Sequence, residues 1–99
     1  MVIVGGYNVY PREVDEVLFS HPKIREAATI GKPDPRLGEV IVAFVVLDRG
    51  QSMTEEEFFD YCKSELVKYK RPVEVLFVDS LPKTGTNKIN RLALRAKYQ

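Results

Sequence analysis

Cys62 is the only cysteine, His21 the only histidine, the net charge is just +1, and the longest apolar run is far shorter than a membrane span. Each scarcity removes a class of explanation. With one thiol no internal disulfide can form, and nothing points to secretion. Met1–Val4 is too short for a signal peptide, and about 20 apolar residues are needed to cross a bilayer. A reducing cytoplasm is the expected compartment. Near-neutral overall charge means that any affinity for anions must be local, because the chain as a whole does not attract nucleic acid. The lone His21 stands before a proline with no nucleophile or metal-ligand partner at useful spacing, so it reads as a surface residue. No Ser-His-Asp set, zinc cluster or paired-carboxylate site can be assembled.

What remains is an ordinary globular composition, 44% apolar and 29% charged over 99 residues, enough for one domain with a modest core. Val2–Val4 reads as a short strand broken by Gly5-Gly6. Pro11 suits the first position of a helix, and Val14, Val17 and Leu18 supply its apolar stripe. Glu13 and Asp15 are read as first-turn carboxylates on the positive end of the helix dipole. His21-Pro22 ends this helix. Ile24–Ile30 is a predicted strand, with Gly31-Lys32-Pro33-Asp34-Pro35 as a loop. Val40–Leu47 is eight consecutive apolar residues, read as a central strand buried on both faces. Thr54-x-x-Glu57 is a capping box for a helix whose apolar side is Phe58, Phe59, Cys62 and Leu66. There Cys62 reads as core, and Glu55-Glu56-Glu57 as dipole-favoured carboxylates. Lys70-Arg71-Pro72 precedes a strand at 73–78, and Asn90 can cap a last short helix.

The order β-α-β-β-α-β-α predicts an α+β domain. Its sheet should have about three main strands, with two to three helices packed on it and a short N-terminal hairpin. The chain opens in mid-strand, so it is expected to be a piece of something longer.

Two stretches stand out. Residues 83–99 carry five cations (Lys83, Lys88, Arg91, Arg95, Lys97) and no carboxylate. Such a segment can hold out an uncompensated ammonium toward phosphate or carboxylate oxygens. Lys88 is the candidate, with Ile89 beside it as an anchor for the loop; the bland alternative is a solvated surface lysine. It is not a phosphate-binding P-loop, since Gly-x4-Gly-Lys-Ser/Thr is missing. The second stretch is Gly5-Gly6-Tyr7-Asn8. It reads either as a plain turn or as backbone lying flat against a ligand, with Tyr7 as a stacking wall and Asn8 as a polar contact.

Gly-Gly-Tyr-Asn-Val-Tyr-Pro-Arg-Glu-Val at 5–14 and Leu-Pro-Lys-Thr-Gly-Thr-Asn-Lys-Ile-Asn-Arg at 81–91 resemble the last two core motifs of the adenylate-forming superfamily. Gly31-Lys32-Pro33-Asp34, Gly38-Glu39 and Tyr69-Lys70-Arg71-Pro72 resemble family landmarks in the right order between them. The resemblance covers essentially the whole chain and is nearest to the mobile C-terminal domain of a fatty-acyl-CoA synthetase.

The resemblance implies a two-step reaction: ATP and a carboxylate form an acyl-adenylate, then the thiol of CoA displaces AMP. It implies Lys88 as the adenylation lysine, brought to the active site in one pose of a swinging domain. In the other pose Gly5, Gly6 and Tyr7 line the pantetheine tunnel, and Asn8 lies near the adenylate. ATP, CoA and Mg2+ would be bound mainly by a large N-terminal domain outside these 99 residues, as would the acyl pocket and the hinge residue. By itself the piece is expected to be inactive. Most relatives have glycine where this chain has Asn87, and asparagine tolerates the same left-handed backbone. Two other functions stay open at this stage. One is an adenylation domain that loads a carrier protein; the other is a small anion- or RNA-binding module using the basic tail.

Overall fold

The computed structural model describes Met1–Tyr98. A β-hairpin, β1 (Val2–Val4) and β2 (Tyr7–Val9), leads into helix α1 (Pro11–Phe19). Two long antiparallel strands follow, β3 (Ile24–Asp34) and β4 (Gly38–Leu47), then helix α2 (Glu55–Glu65). A 3-10 turn (Lys68–Lys70), strand β5 (Glu74–Phe77) and helix α3 (Arg91–Tyr98) complete the described chain. The α+β expectation holds: three main strands with the N-terminal hairpin attached, and three helices.

The sheet is organised around β4. Along one side it pairs antiparallel with β3 over nearly its whole length, from Leu47 opposite Ile24 to Gly38 opposite Asp34. Along the other it pairs parallel with β5, Val42 to Val45 against Glu74 to Phe77, and pairs with β1 at its first residue, Gly38 opposite Val4. The parallel neighbour requires a crossover, and α2 supplies it.

Both faces of β4 are apolar, so both must be covered. Ile41, Ala43 and Val45 join a core with Val14, Leu18 and Phe58 from α1 and α2. Val42, Phe44 and Val46 join a second core with Leu81 and with Leu94 of α3. Thus α1 and α2 lie over one face, and α3 with the segment before it lies over the other.

The helix starts follow local chemistry. Thr54 Oγ1 accepts from the Glu57 amide at 3.1 Å, as the capping box requires. The Glu57 carboxylate turns outward instead and pairs with Lys23 at 2.8 Å. Asn90 Oδ1 accepts from the Ala93 amide at 3.1 Å and caps α3. Residues 31–34, read from sequence as loop, instead extend β3, with Pro33 opposite Glu39. Proline fits there because β3 is an edge strand and needs no outward amide donor.

Cys62 is buried in the first core, 1% exposed. Desolvation pushes its thiol from an ordinary 9.0 up to about 11, with Arg71 pulling weakly the other way. The unfolded thiol ionises first as pH rises, so stability contributed by this group is complete below pH 9 and is lost between pH 9 and 11. The expected result is an extra fall of about 1.4 kcal/mol per pH unit across that window, relative to Cys62→Ala. Urea melts at several alkaline pH values measure it, and parallel slopes for the two proteins would refute it.

Candidate functional site

The basic segment at 82–91 is a miniature hairpin. Lys83 and Ile89 form an antiparallel bridge, the Thr84 amide donates to the Lys88 carbonyl at 2.7 Å, and the Asn90 amide donates to the Pro82 carbonyl at 2.9 Å. Its tip closes through the Asn87 amide to the Thr84 carbonyl at 2.9 Å. Asn87 has φ 62, the left-handed residue that a three-residue hairpin loop needs before the chain re-enters the strand. Asparagine is the non-glycine residue best suited to this geometry.

Neighbouring residues on this hairpin part company. Ile89 packs on the second core while Lys88 is exposed. Only the Lys88 backbone is engaged, its amide donating to Thr84 Oγ1 at 3.3 Å; its ammonium has no ion pair or hydrogen bond among the described residues. A firmly held backbone therefore carries a free cation.

Two of the five cations in this segment find carboxylate partners elsewhere in the fold. Lys83 pairs with Glu26 at 3.1 Å, and Arg91 pairs with Asp15. With Lys83 and Arg91 paired, fewer of the segment's charges are left for a basic binding tail. Asp15 is also not the dipole partner read from sequence. It is 9% exposed, and its Oδ1 accepts from both the amide and the hydroxyl of Thr29 at 2.8 Å. Burial raises its pKa above the usual carboxylate value, while the hydrogen bond and charge of Arg91 and the bonds from Thr29 offset part of that. A signal existed in the sequence: Asp15 falls within the apolar stripe of Val14 and Leu18, where a carboxylate must find a buried partner.

An open groove of about 490 Å³ runs between α1 and the hairpin, with Lys88, Lys83 and Ile89 on one wall and Arg12, Glu16 and Phe19 on the other. The second candidate stretch lies on a different groove, of about 530 Å³, which shares no residue with the first. Gly5 and Gly6 form the two-residue turn of the β1–β2 hairpin, with φ 55 and 88. Left-handed backbone at both positions is the requirement of this tight hairpin, so the glycines are explained by the turn itself. The Gly5 amide donates to the Leu37 carbonyl at 2.8 Å, fastening the tip to the start of β4.

Tyr7 stacks on Tyr69 with ring centroids 4.3 Å apart, so one face of its ring is already taken. Gly5 and Tyr7 line the second groove with Leu37, Val40, Arg36 and Lys68. Gly6 and Asn8 do not line it. Asn8 is exposed, and strand alternation turns it to the opposite side from Tyr7 and Val9. The structure thus brings Gly5 and Tyr7 together, leaves Gly6 at the turn tip, and separates Asn8 from them. Tyr69, Lys68 and Arg36 were not among the site residues expected from sequence. Among the described residues, no group of three His, Cys, Asp or Glu is placed to hold a metal ion.

A family model described as the AMP-binding enzyme C-terminal domain matches residues 13–88. The chain belongs to this family. It is 47% identical over 94 residues to an oxalate–CoA ligase of Saccharomyces cerevisiae, covering 95% of this chain and 17% of that protein. It is 40% identical over 98 residues to the long-chain-fatty-acid–CoA ligase FadD13 of Mycobacterium tuberculosis, covering 99% of this chain and 19% of that one. In three dimensions it resembles ATP-bound MatB from Rhodopseudomonas palustris, with a TM-score of 0.92 and 37% identity over 99% of this chain and 20% of that one. The chain spans less than a fifth of the length of these curated relatives.

The hairpin geometry makes a direct prediction. Asn87→Gly should hold or slightly raise stability, whereas Asn87→Val, β-branched in the left-handed region, should cost about 1–2 kcal/mol. Denaturation midpoints of the two variants decide it; equal midpoints would show that the left-handed residue is dispensable.

Proposed function

We propose that this chain is the mobile C-terminal domain of an AMP-forming acyl-CoA synthetase, with Lys88 as its adenylation lysine. One observation carries the reading: an exposed ammonium, unpaired among the described residues, on a backbone fixed by a hairpin and by the packing of Ile89 against the core. In the first half-reaction a carboxylate oxygen attacks the α-phosphorus of ATP and the bond to the bridging oxygen of pyrophosphate breaks. Negative charge accumulates on the α-phosphoryl oxygens as this happens. A cation already held in place can orient the carboxylate and stabilise that charge without reorganising during the reaction.

In the second half-reaction the thiol of CoA gives up its proton, its sulfur attacks the acyl carbonyl, and AMP leaves. The groove beside Gly5 and Tyr7 suits the CoA side of this step. Leu37 and Val40 offer apolar wall to a pantetheine arm, and Arg36 and Lys68 offer cations to phosphates. Gly6 forms the edge of the same turn. Two grooves with no residue in common support alternation: each half-reaction would use a different side of the domain. For Mg2+ the residues here supply no donor set among those described, and its ligands are assigned to the N-terminal domain. That domain, in the same reading, also supplies the rest of the ATP site and the acyl pocket.

The acid is proposed as a long- or medium-chain fatty acid, on the likeness to the long-chain-fatty-acid–CoA ligase. The likeness to an oxalate–CoA ligase supports the broader class of acyl-CoA formation and carries no preference for chain length. CoA and a carrier protein both present pantetheine, so the acceptor is tested by supplying each in turn.

In the full-length enzyme, Lys88→Ala should reduce acid-dependent ATP–pyrophosphate exchange by about 10²- to 10³-fold, the scale of losing one preorganised electrostatic contact. Thioester formation from preformed acyl-adenylate should stay near wild type. Wild-type exchange in this variant would sink the assignment. Gly6→Leu, at a backbone φ of 88 that side chains rarely adopt, should slow the CoA step more than adenylation. Equal slowing of both steps would count against a role for this turn in CoA binding.

A further inference from the structure

We infer that Arg91, gripped by Asp15 and Thr29, is a positioning residue for adenylation: it sets where Lys88 stands and touches no substrate itself. The inference rests on the reading of Lys88 given above and extends it to residues to which that reading gave no role.

Its basis is the way the hairpin joins the domain. β3 is an edge strand, paired with β4 on one side only. In an antiparallel strand the amide and carbonyl of one residue point to the same side. At Thr29 both turn to the open edge, where they meet side chains: the amide donates to Asp15 Oδ1 at 2.8 Å, and the carbonyl accepts from Arg91 Nη1 at 2.7 Å. Arg91 Nη2 closes the ring by donating to Asp15 Oδ2. The ion pair therefore takes the place of a neighbouring strand, and three separate elements meet in it: α1, β3 and the first residue of α3. Thr29 is fully buried. The Thr29 hydroxyl adds a tie to Oδ1 at 2.8 Å and lies 3.2 Å from the Pro11 carbonyl.

Lys88 is three residues before Arg91, and the chain between them has little freedom. Ile89 is packed on the core, the Asn90 amide is bonded to Pro82, and the Asn90 side chain caps α3. A guanidinium fork fixed at two acceptors sets both translation and rotation at the end of this short tether, which a lysine ammonium cannot do. At the far end Tyr98 donates to Glu74 at 2.7 Å, a second tie that resists pivoting of α3. Displacement of a catalytic group by about 1 Å can cost on the order of 10²-fold in rate.

The test uses the full-length enzyme carrying Arg91→Met, Arg91→Lys, Asp15→Asn or both Asp15→Asn and Arg91→Met, beside Lys88→Ala. Arg91→Met should lower the kcat of adenylation by about 10- to 100-fold with KM for ATP and acid within about twofold. Thioester formation from preformed acyl-adenylate should also stay within about twofold. Arg91→Lys should recover little. The double variant should be no slower than the worse single, because both changes break one clamp. Adenylation at wild-type speed in a folded Arg91→Met enzyme overturns the inference, as does equal loss of both half-reactions, which marks a structural role alone. Should Arg91→Met fail to fold, Asp15→Asn gives the same reading, since its amide keeps the carboxylate's shape. Lys88→Ala separates the two levels. If it abolishes adenylation while the clamp variants do not, only this inference falls; if it leaves adenylation intact, the underlying assignment falls.

Discussion

A strand that is apolar on both faces cannot lie on a surface. β4 is such a strand, and most of the molecule is arranged to keep water from it. Ile41, Ala43 and Val45 draw α1 and α2 to one face; Val42, Phe44 and Val46 draw Leu81 and α3 to the other. Covering the second face is what brings the last 20 or so residues back across the sheet, at roughly 25 cal/mol for each square ångström of apolar surface removed from water. The hairpin that carries Lys88 lies on that return path. Its place in space is thus a consequence of core packing, although its own sequence is almost wholly polar.

The same arrangement keeps the two candidate sites apart. The Gly5-Gly6 turn is fastened to the start of β4 through Leu37 and stacks Tyr7 on Tyr69. The Lys88 hairpin is fastened to the edge of β3 through Glu26, Thr29 and Asp15. Each is held to the sheet by direct contacts, so under the proposed alternation each would be presented as a unit. Neither turn needs to rearrange internally for the proposed alternation.

Much of this was legible in the chain because the signals were local. Eight apolar residues in a row announced the central strand, Thr54 and Glu57 announced a helix start, and Pro11 announced another. The extension of β3 through Gly31-Lys32-Pro33-Asp34 was not legible. Glycine and proline are loop residues by local propensity, and only the long pairing partner in β4 overrides them. Asp15 was misread for a related reason. A carboxylate in the first turns of a helix has a sufficient local explanation in the dipole, and its true partner, Arg91, is distant in sequence. The stack of Tyr7 on Tyr69 was not legible either, because the two rings are far apart in sequence.

By itself the sequence showed which residues could do chemistry: it held an ammonium next to an apolar isoleucine, two glycines able to turn left-handed, and an asparagine able to replace a third. It also determined the family, through motifs at both ends of the chain. The tertiary structure decided which charges remain available. Of the cations near the C-terminus, Lys83 and Arg91 are paired to Glu26 and Asp15, while Lys88, like Arg95 and Lys97, has no ion pair among the described residues. Ion pairing depends on distance in space, falling off with separation whatever the order of the residues, and a linear string does not contain that distance until the two cores have closed.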